Sequence, residues 1–116
     1  MPLQIVQRRT EEVVILDLTG RLWILDLPLR DTINALLASG KRYFVLNIAG
    51  VDYIDSSGLG QMVTIWTSVR GKGGHMTVLR PTKRVQRLFE ITQLNTIFEI
   101  LDNEDDAIRK ARTVSA

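Results

Sequence analysis

The feature that most limits the possible folds of this chain is a nearly unbroken apolar run from Tyr43 to Ile48, interrupted only by Asn47. Such a run is typical of a strand that other elements cover on both faces, as in a parallel sheet. A helical pattern and then another short strand pattern follow it along the chain. Because parallel strands need a long crossover between them, this order indicates strand, helix and strand in one sheet. The run therefore predicts the central strand of an α/β domain.

Apolar spacing and turn residues predict the remaining elements. Leu3–Arg9 and Val13–Leu18 are rich in Val, Ile and Leu and are separated by three polar residues, which predicts an antiparallel hairpin. Apolar residues recur at helical spacing further on, and Asp26 is a candidate cap for the first helix. The expected later elements are a helix at 27–39, a connection at 49–54, a helix at 57–70, a strand at 75–80, a helix from 81, a strand at 97–100 and a helix at 103–112.

This order of elements predicts the fold class. Helices and strands that alternate after a leading hairpin indicate an α/β domain with a mixed, mostly parallel sheet. We expect four to five strands and about four helices. No linker, repeat or low-complexity segment divides residues 1–116, so we expect a single domain with a loose tail at 113–116.

The composition excludes most metal-dependent and acid–base enzymes. The chain contains no cysteine, which excludes disulfides, thiolate zinc sites, iron–sulfur clusters and cysteine nucleophiles. His75 is the single histidine, so only one candidate exists for the commonest general base. The 15 Lys and Arg against 13 Asp and Glu give a net charge of +2, too small to indicate a nucleic-acid binder. We expect no metal, no cofactor and no direct nucleic-acid partner.

The hydropathy pattern predicts a cytoplasmic protein. No apolar run approaches the roughly 20 residues that a membrane-spanning helix needs. The first residues lack the basic and apolar regions of a signal peptide. We therefore expect no membrane partner.

The candidate functional site is the motif DSSGLG at residues 55–60, which precedes or opens the second predicted helix. In parallel α/β sheets, ligands and reactive groups collect where strands end and helices begin, because backbone amides there point outward. Asp55 or Ser56 could simply cap the helix, and the two glycines could simply let it pack closely on the sheet. One cap suffices, however, so Ser57 would remain as an exposed hydroxyl at the positive end of a helix. A phosphate would be tolerated there at small cost.

The longer segment Val51–Gly60, with the sequence VDYIDSSGLG, resembles the signature of the STAS domains, which sulfate transporters and anti-sigma factor antagonists share. The resemblance covers most of the chain and extends to residues 16–22, 29–30, 44–48 and 85–89. The length of the chain is similar to that of the bacterial antagonists and not to the transporter tails.

The resemblance implies a regulatory protein and not an enzyme. In this family an unphosphorylated antagonist binds a histidine-kinase-like anti-sigma factor, which releases the sigma factor. The anti-sigma factor then uses ATP to phosphorylate the second serine of the motif, which is Ser57 here, and a separate phosphatase resets it. The antagonist is expected to be a monomer or to self-associate weakly when free. The residues expected to shape the loop or to let the partner approach are Asp55, Ser56, Gly58, Leu59 and Gly60.

Two residues depart from the family pattern. Trp23 and Asn47 each stand where the family commonly carries Asp, and both positions are expected near the phosphorylation loop. Trp23 is also a large apolar side chain in a predicted loop. It is expected either to pack in the core or to lie at a partner surface.

Other motifs predict only structural roles. The glycine-rich segment 71–74 lacks the ending of a phosphate-binding P-loop, and 58–60 lacks the third glycine of a dinucleotide site. A hydrolase built on Ser57 and His75 would lack an orienting partner. A positively charged group near the third helix is expected to be a solvated face, since aromatic residues for base stacking are absent there: Arg80, Lys83, Arg84 and Arg87. The open alternatives are a STAS scaffold in a signalling assembly, a cytoplasmic accessory subunit of a transporter, and weak nucleotide binding.

Overall fold

The computed structural model describes residues 3–23 and 28–113 and contains one five-stranded sheet. The strands lie in the order of the chain: β1 (Gln4–Thr10), β2 (Val13–Leu22), β3 (Tyr43–Ile54), β4 (His75–Leu79) and β5 (Glu99–Leu101). The helices are α1 (Pro28–Ala38), α2 (Ser56–Gly71), α3 (Lys83–Ile91) and α4 (Glu104–Arg112), and a short 3-10 helix spans Leu94–Thr96. β1 and β2 are antiparallel and the other neighbouring strands are parallel. The predicted mixed α/β sheet with a leading hairpin and four helices is confirmed.

The sheet is covered on both faces, which explains the apolar run in β3. Phe44, Leu46 and Ile48 belong to the main core with buried side chains of α1, α2 and α3. Val45 points to the other face, where it packs with Ala107 and other apolar side chains of α4. β3 also lies at the centre of the five strands, as predicted.

The segment 49–54 was expected to be a connection, and this prediction is wrong. β3 continues through Ile54, because β2 also continues past its predicted end and pairs with it. The pairing places Leu22 opposite Ile54, with shifts in register after Asp17 and after Gly20. Gly20 has a φ of 115°, which a residue with a side chain rarely adopts. Gly20 lies beyond the predicted end of β2 at Leu18 and lets the strand extend towards the start of α2.

The last strand is also shorter and later than predicted. The strand expected at 97–100 begins at Glu99, and a turn at 97–98 connects it to the 3-10 helix. The glycine-rich segment 71–74 leads from the end of α2 to β4, which fits the structural role expected for it. Within the described ranges, no helix has the length and hydropathy needed to cross a bilayer. The predicted cap Asp26 and the last three residues of the expected tail lie outside those ranges.

Candidate functional site

Asp55 caps the N-terminus of α2 with its side chain and joins the motif to the sheet with its backbone amide. Its backbone is extended, with φ −96° and ψ −178°, and its Oδ1 accepts a hydrogen bond of 2.7 Å from the amide of Gly58. The Asp55 amide donates to the carbonyl of Leu22 at 3.3 Å, at the end of β2. Of the two candidate caps, Asp55 is therefore the cap and Ser56 is the first residue of the helix.

Ser57 lies in the first turn of α2 and is partly exposed, while Ser56 is exposed. Among the hydrogen bonds of the described residues, none involves the hydroxyl of either serine. The first amides of a helix have no partner within the helix and carry a partial positive charge. The fold therefore presents two serine hydroxyls, neither of them needed as a cap, at the positive end of a 16-residue helix.

Gly58 and Leu59 face inwards, whereas Gly60 is exposed. A Cβ on Gly58 would lie only 2.2 Å from the carbonyl oxygen of Leu22, so the helix approaches β2 as closely as glycine allows. Leu59 is 8% exposed and belongs to the main core. Gly60 is exposed, and a Cβ there would meet nothing within 4 Å. The outward face of the motif therefore consists of Ser56, Ser57 and Gly60.

Trp23 was expected either in the core or at a partner surface, and its side chain is only partly buried. The Trp23 carbonyl accepts a hydrogen bond of 3.0 Å from Nε2 of the buried Gln61 in α2. Its ring lies 6.0 Å from the guanidinium carbon of Arg21, which lies equally far from the ring of Tyr53. Two aromatic rings around one cation at such distances attract it electrostatically. The clustering of Arg21, Tyr53 and Gln61 around Trp23 was missed, because it depends on the pairing of β2 with β3.

The hydrogen bonds of the Asn47 side chain join it to residues outside the motif. Its side chain donates to Asp17 at 2.8 Å, and its oxygen accepts from the amide of Ala49 at 3.2 Å. Arg8 donates to Asp17 and to Glu104 of α4, each at 2.6 Å. These hydrogen bonds from the guanidinium lower the pKa of both carboxyl groups. Asn47 thus belongs to a polar cluster that joins β1, β2, β3 and α4.

Comparison of the sequence with models of known protein families identifies the family of this domain. A family model for the STAS domain matches residues 4–107. The chain belongs to the STAS family. The resemblance found in the sequence is confirmed, and the matched residues include the motif at 55–60.

The similarity to individual proteins extends over nearly the whole chain. The Anti-sigma F factor antagonist of Paenibacillus polymyxa is 31% identical over 117 residues, which cover 99% of this chain and all of that protein. The crystal structure of the protein TM1081 from Thermotoga maritima has a TM-score of 0.84 at 28% identity and covers 94% of this chain and 95% of its own. The structure of the Bacillus cell fate determinant SpoIIAA in its phosphorylated form has a TM-score of 0.72 at 23% identity. The match covers 95% of this chain and 99% of the SpoIIAA chain.

His75 of this STAS domain is separated from Ser57. His75 is the first residue of β4 and pairs with Tyr43, the first residue of β3. Ser57 comes three residues after Ile54, the last residue of β3. The Nε2 atom of His75 lies 3.2 Å from a carboxylate oxygen of Glu99, and its Nδ1 atom lies 3.4 Å from a guanidinium nitrogen of Arg70. The two candidates for a hydrolytic pair therefore lie at opposite ends of the parallel strands. In the described part of the chain, no group of three His, Asp or Glu residues could hold a metal ion.

The cationic residues near α3 do not form a single stripe. Arg80 has a φ of 52°, and its Nε donates to the carbonyl of Asp102 at 2.8 Å, so it is engaged at the end of β4. Lys83, Arg84 and Arg87 lie on α3 itself. Of the four cationic residues expected to form one face, only these three therefore lie on the surface of α3.

Proposed function

We propose that this STAS domain is an anti-sigma factor antagonist that binds a kinase-type anti-sigma factor and is switched off by phosphorylation of Ser57. It would thereby control sigma-factor-dependent transcription in the cytoplasm. The similarity to the Anti-sigma F factor antagonist along both whole chains supports this class of function. The observation that carries the proposal is the start of α2, where Asp55 already caps the helix and Ser57 keeps an unused, partly exposed hydroxyl.

The physical basis of the switch is a change of charge on the outward face of the motif. A phosphoserine carries about −1.5 to −2 charges at neutral pH. The helix N-terminus favours negative charge and offsets the repulsion from the Asp55 carboxylate. The fold would therefore accept the phosphate, while a partner in contact with Ser56 and Gly60 would have to desolvate it or repel it. Phosphorylation would weaken the complex without unfolding the domain.

In this proposal the chain is the substrate of a kinase and not itself a catalyst, and ATP binds to the anti-sigma factor. The terminal phosphoryl group of ATP passes to Oγ of Ser57, the hydroxyl proton leaves to the kinase, and ADP is released. A phosphatase hydrolyses the phosphoserine to serine and inorganic phosphate. The free antagonist would be monomeric or would self-associate weakly, and it would need no cofactor.

The assignment of Ser57 can be tested by phosphorylation. The wild-type chain would be incubated with ATP and the kinase-type anti-sigma factor of the same organism, and intact-mass spectrometry would count the phosphoryl groups. We expect one group on the wild type and on Ser56→Ala, and none on Ser57→Ala. Phosphate on the Ser57→Ala chain would show that the switch residue is a different one.

The switch itself can be tested by calorimetric binding to the same anti-sigma factor. Ser57→Ala should bind like the wild type, and Ser57→Asp should bind at least about tenfold more weakly, which is roughly 1.4 kcal/mol. Thr67→Asp is the matched control, because it adds the same charge to an exposed position of α2 that lies away from the motif. Equal affinity of Ser57→Asp and the control would refute the switch. A wild-type chain that binds no anti-sigma factor and elutes as a large assembly would instead support a scaffold.

A further inference from the structure

A groove of about 520 Å³ lies beside the phosphorylation motif, between the end of β3 and α3. Tyr53 and Ile54 of β3 line one side, and Leu88 and Ile91 of α3 line the other. Tyr53 and Ile54 directly precede the helix cap Asp55. The groove therefore adjoins the motif while consisting of different residues.

The groove exposes apolar surface that has no partner within the described part of the domain. Ile91 is 72% exposed and Tyr53 is 41% exposed. These are two of the four large hydrophobic residues exposed in the described ranges. Single exposed hydrophobic residues are ordinary, but a concave group of them rimmed by polar residues indicates an interaction site.

The rim of the groove is positively charged. Lys83, Arg84 and Arg87 line it, and none of them forms an ion pair with an acidic side chain within residues 3–23 and 28–113. Arg21 adds a fourth cation beside the Tyr53 ring. Glu90 lines the neighbouring depression and not this groove, and its carboxylate lies 3.4 Å from a side-chain amide of α3. The groove thus combines apolar walls with cations that form no ion pair with an acidic residue of the described ranges.

We propose that this groove is the docking site for an acidic amphipathic helix of the anti-sigma factor. α3 has nine residues and is about 13 Å long, so the groove can seat two to three turns of a partner helix. Apolar side chains at successive turns of that helix would lie against Leu88 and Ile91, as in other helix-in-groove complexes. Its Asp and Glu side chains would pair with the cationic rim, which fixes the orientation and speeds the encounter.

The inference rests on the proposed function, because the partner is the protein that phosphorylates Ser57. A helix seated in the groove would place the rest of the anti-sigma factor next to the motif. The groove would supply affinity that the phosphate does not control directly, and Ser57 would supply the switch. Loss of the groove should therefore raise the KM of the kinase for this chain and leave its kcat nearly unchanged.

The test measures the affinity of the anti-sigma factor for two groove variants by calorimetry. Arg84→Glu reverses a rim charge, and Ile91→Asp places a charge on the apolar side of the groove that α3 forms. Both residues are exposed, so both variants should fold, which circular dichroism would check. We expect each to weaken binding at least about tenfold. Lys110→Glu is the matched control, since it makes the same charge change at an exposed position of α4, across the sheet, and should bind within about twofold of the wild type.

Three other results would overturn the inference, and they can be told apart. If the wild type binds and is phosphorylated at Ser57 while both groove variants bind like Lys110→Glu, the groove inference alone is wrong. If the wild type binds no anti-sigma factor, both the proposed function and the groove inference are wrong. If the wild type sediments as a dimer and Ile91→Asp as a monomer, the groove seats a second copy of this chain and not the anti-sigma factor.

Discussion

Replacement of Gly58 by alanine should destabilise the domain, whereas the same replacement at Gly60 should stabilise it. Both glycines belong to the first part of α2, two residues apart, and both are in the family motif. They differ in what a new methyl group would meet. At Gly58 it would lie 2.2 Å from the carbonyl oxygen of Leu22 and 3.0 Å from Cγ2 of Ile54, whereas at Gly60 it would meet nothing within 4 Å.

The size of the effect follows from these distances. Ordinary contacts of a Cβ begin near 3.4 Å, so the backbone of β2 or of α2 must move by more than 1 Å to accept Gly58→Ala. Such overpacking typically costs about 1–3 kcal/mol, and rigid backbone places this site in the upper part of that range. Alanine regains up to about 1 kcal/mol of helix propensity at either site. We therefore expect Gly58→Ala to lower the free energy of unfolding by roughly 1–2 kcal/mol and Gly60→Ala to raise it by up to about 1 kcal/mol.

Urea unfolding followed by far-UV circular dichroism would measure both variants. With an m-value of about 1.5 kcal/mol/M, a difference of about 2 kcal/mol separates the two midpoints by about 1.3 M. The m-values should stay unchanged, so that the midpoints report stability alone. A Gly58→Ala chain as stable as Gly60→Ala would show that the close approach of α2 to Leu22 does not constrain the motif.

Three further predictions concern the cap, the polar cluster and a buried hydroxyl. Asp55→Ala should lower the free energy of unfolding by about 1 kcal/mol through the loss of the cap, and Asp55→Asn should restore most of it in the same urea titration. Arg8 lowers the pKa of Asp17 and Glu104, so the stability from these pairs is present above their unfolded pKa values and is lost as the pH falls through the folded ones. Thermal unfolding of Arg8→Gln should accordingly lose less stability than the wild type between about pH 5 and pH 3, and parallel curves would contradict this. Thr77 is fully buried and donates to a carbonyl of α4 at 2.9 Å, so Thr77→Val should cost about 1 kcal/mol in urea, and no change would show that this bond contributes nothing.

The boundaries that were predicted well belong to elements with strong local signals. Thr82 and Asn103 cap α3 and α4 through their side chains, at the positions where the pattern predicted these helices to begin. The prediction failed at 49–54, where the pattern alone favours a connection. Whether that segment is a strand depends on whether β2 reaches Leu22 alongside it, and β2 lies some thirty residues away in the chain.

Within the motif, the sequence predicted which residues matter but not which way they point. Asp55 and Ser56 were equal candidates for the cap, and a hydrogen bond of 2.7 Å to the amide of Gly58 decides for Asp55. Gly58 and Gly60 are identical residues only two positions apart in the chain. Only the packing of α2 against β2 leaves no room for a side chain at Gly58 while Gly60 stays open to solvent.

The sequence by itself determined the α/β order of elements, the doubly covered central strand and the STAS motif, because hydrophobic periodicity and turn chemistry act between residues that are close in the chain. The tertiary structure alone decided the inner and outer sides of the motif, the cluster of Arg21 with two aromatic rings, and the groove between Tyr53 and Ile91. Each of these joins segments far apart in sequence, and their contact depends on how the strands pair and how the helices pack on them.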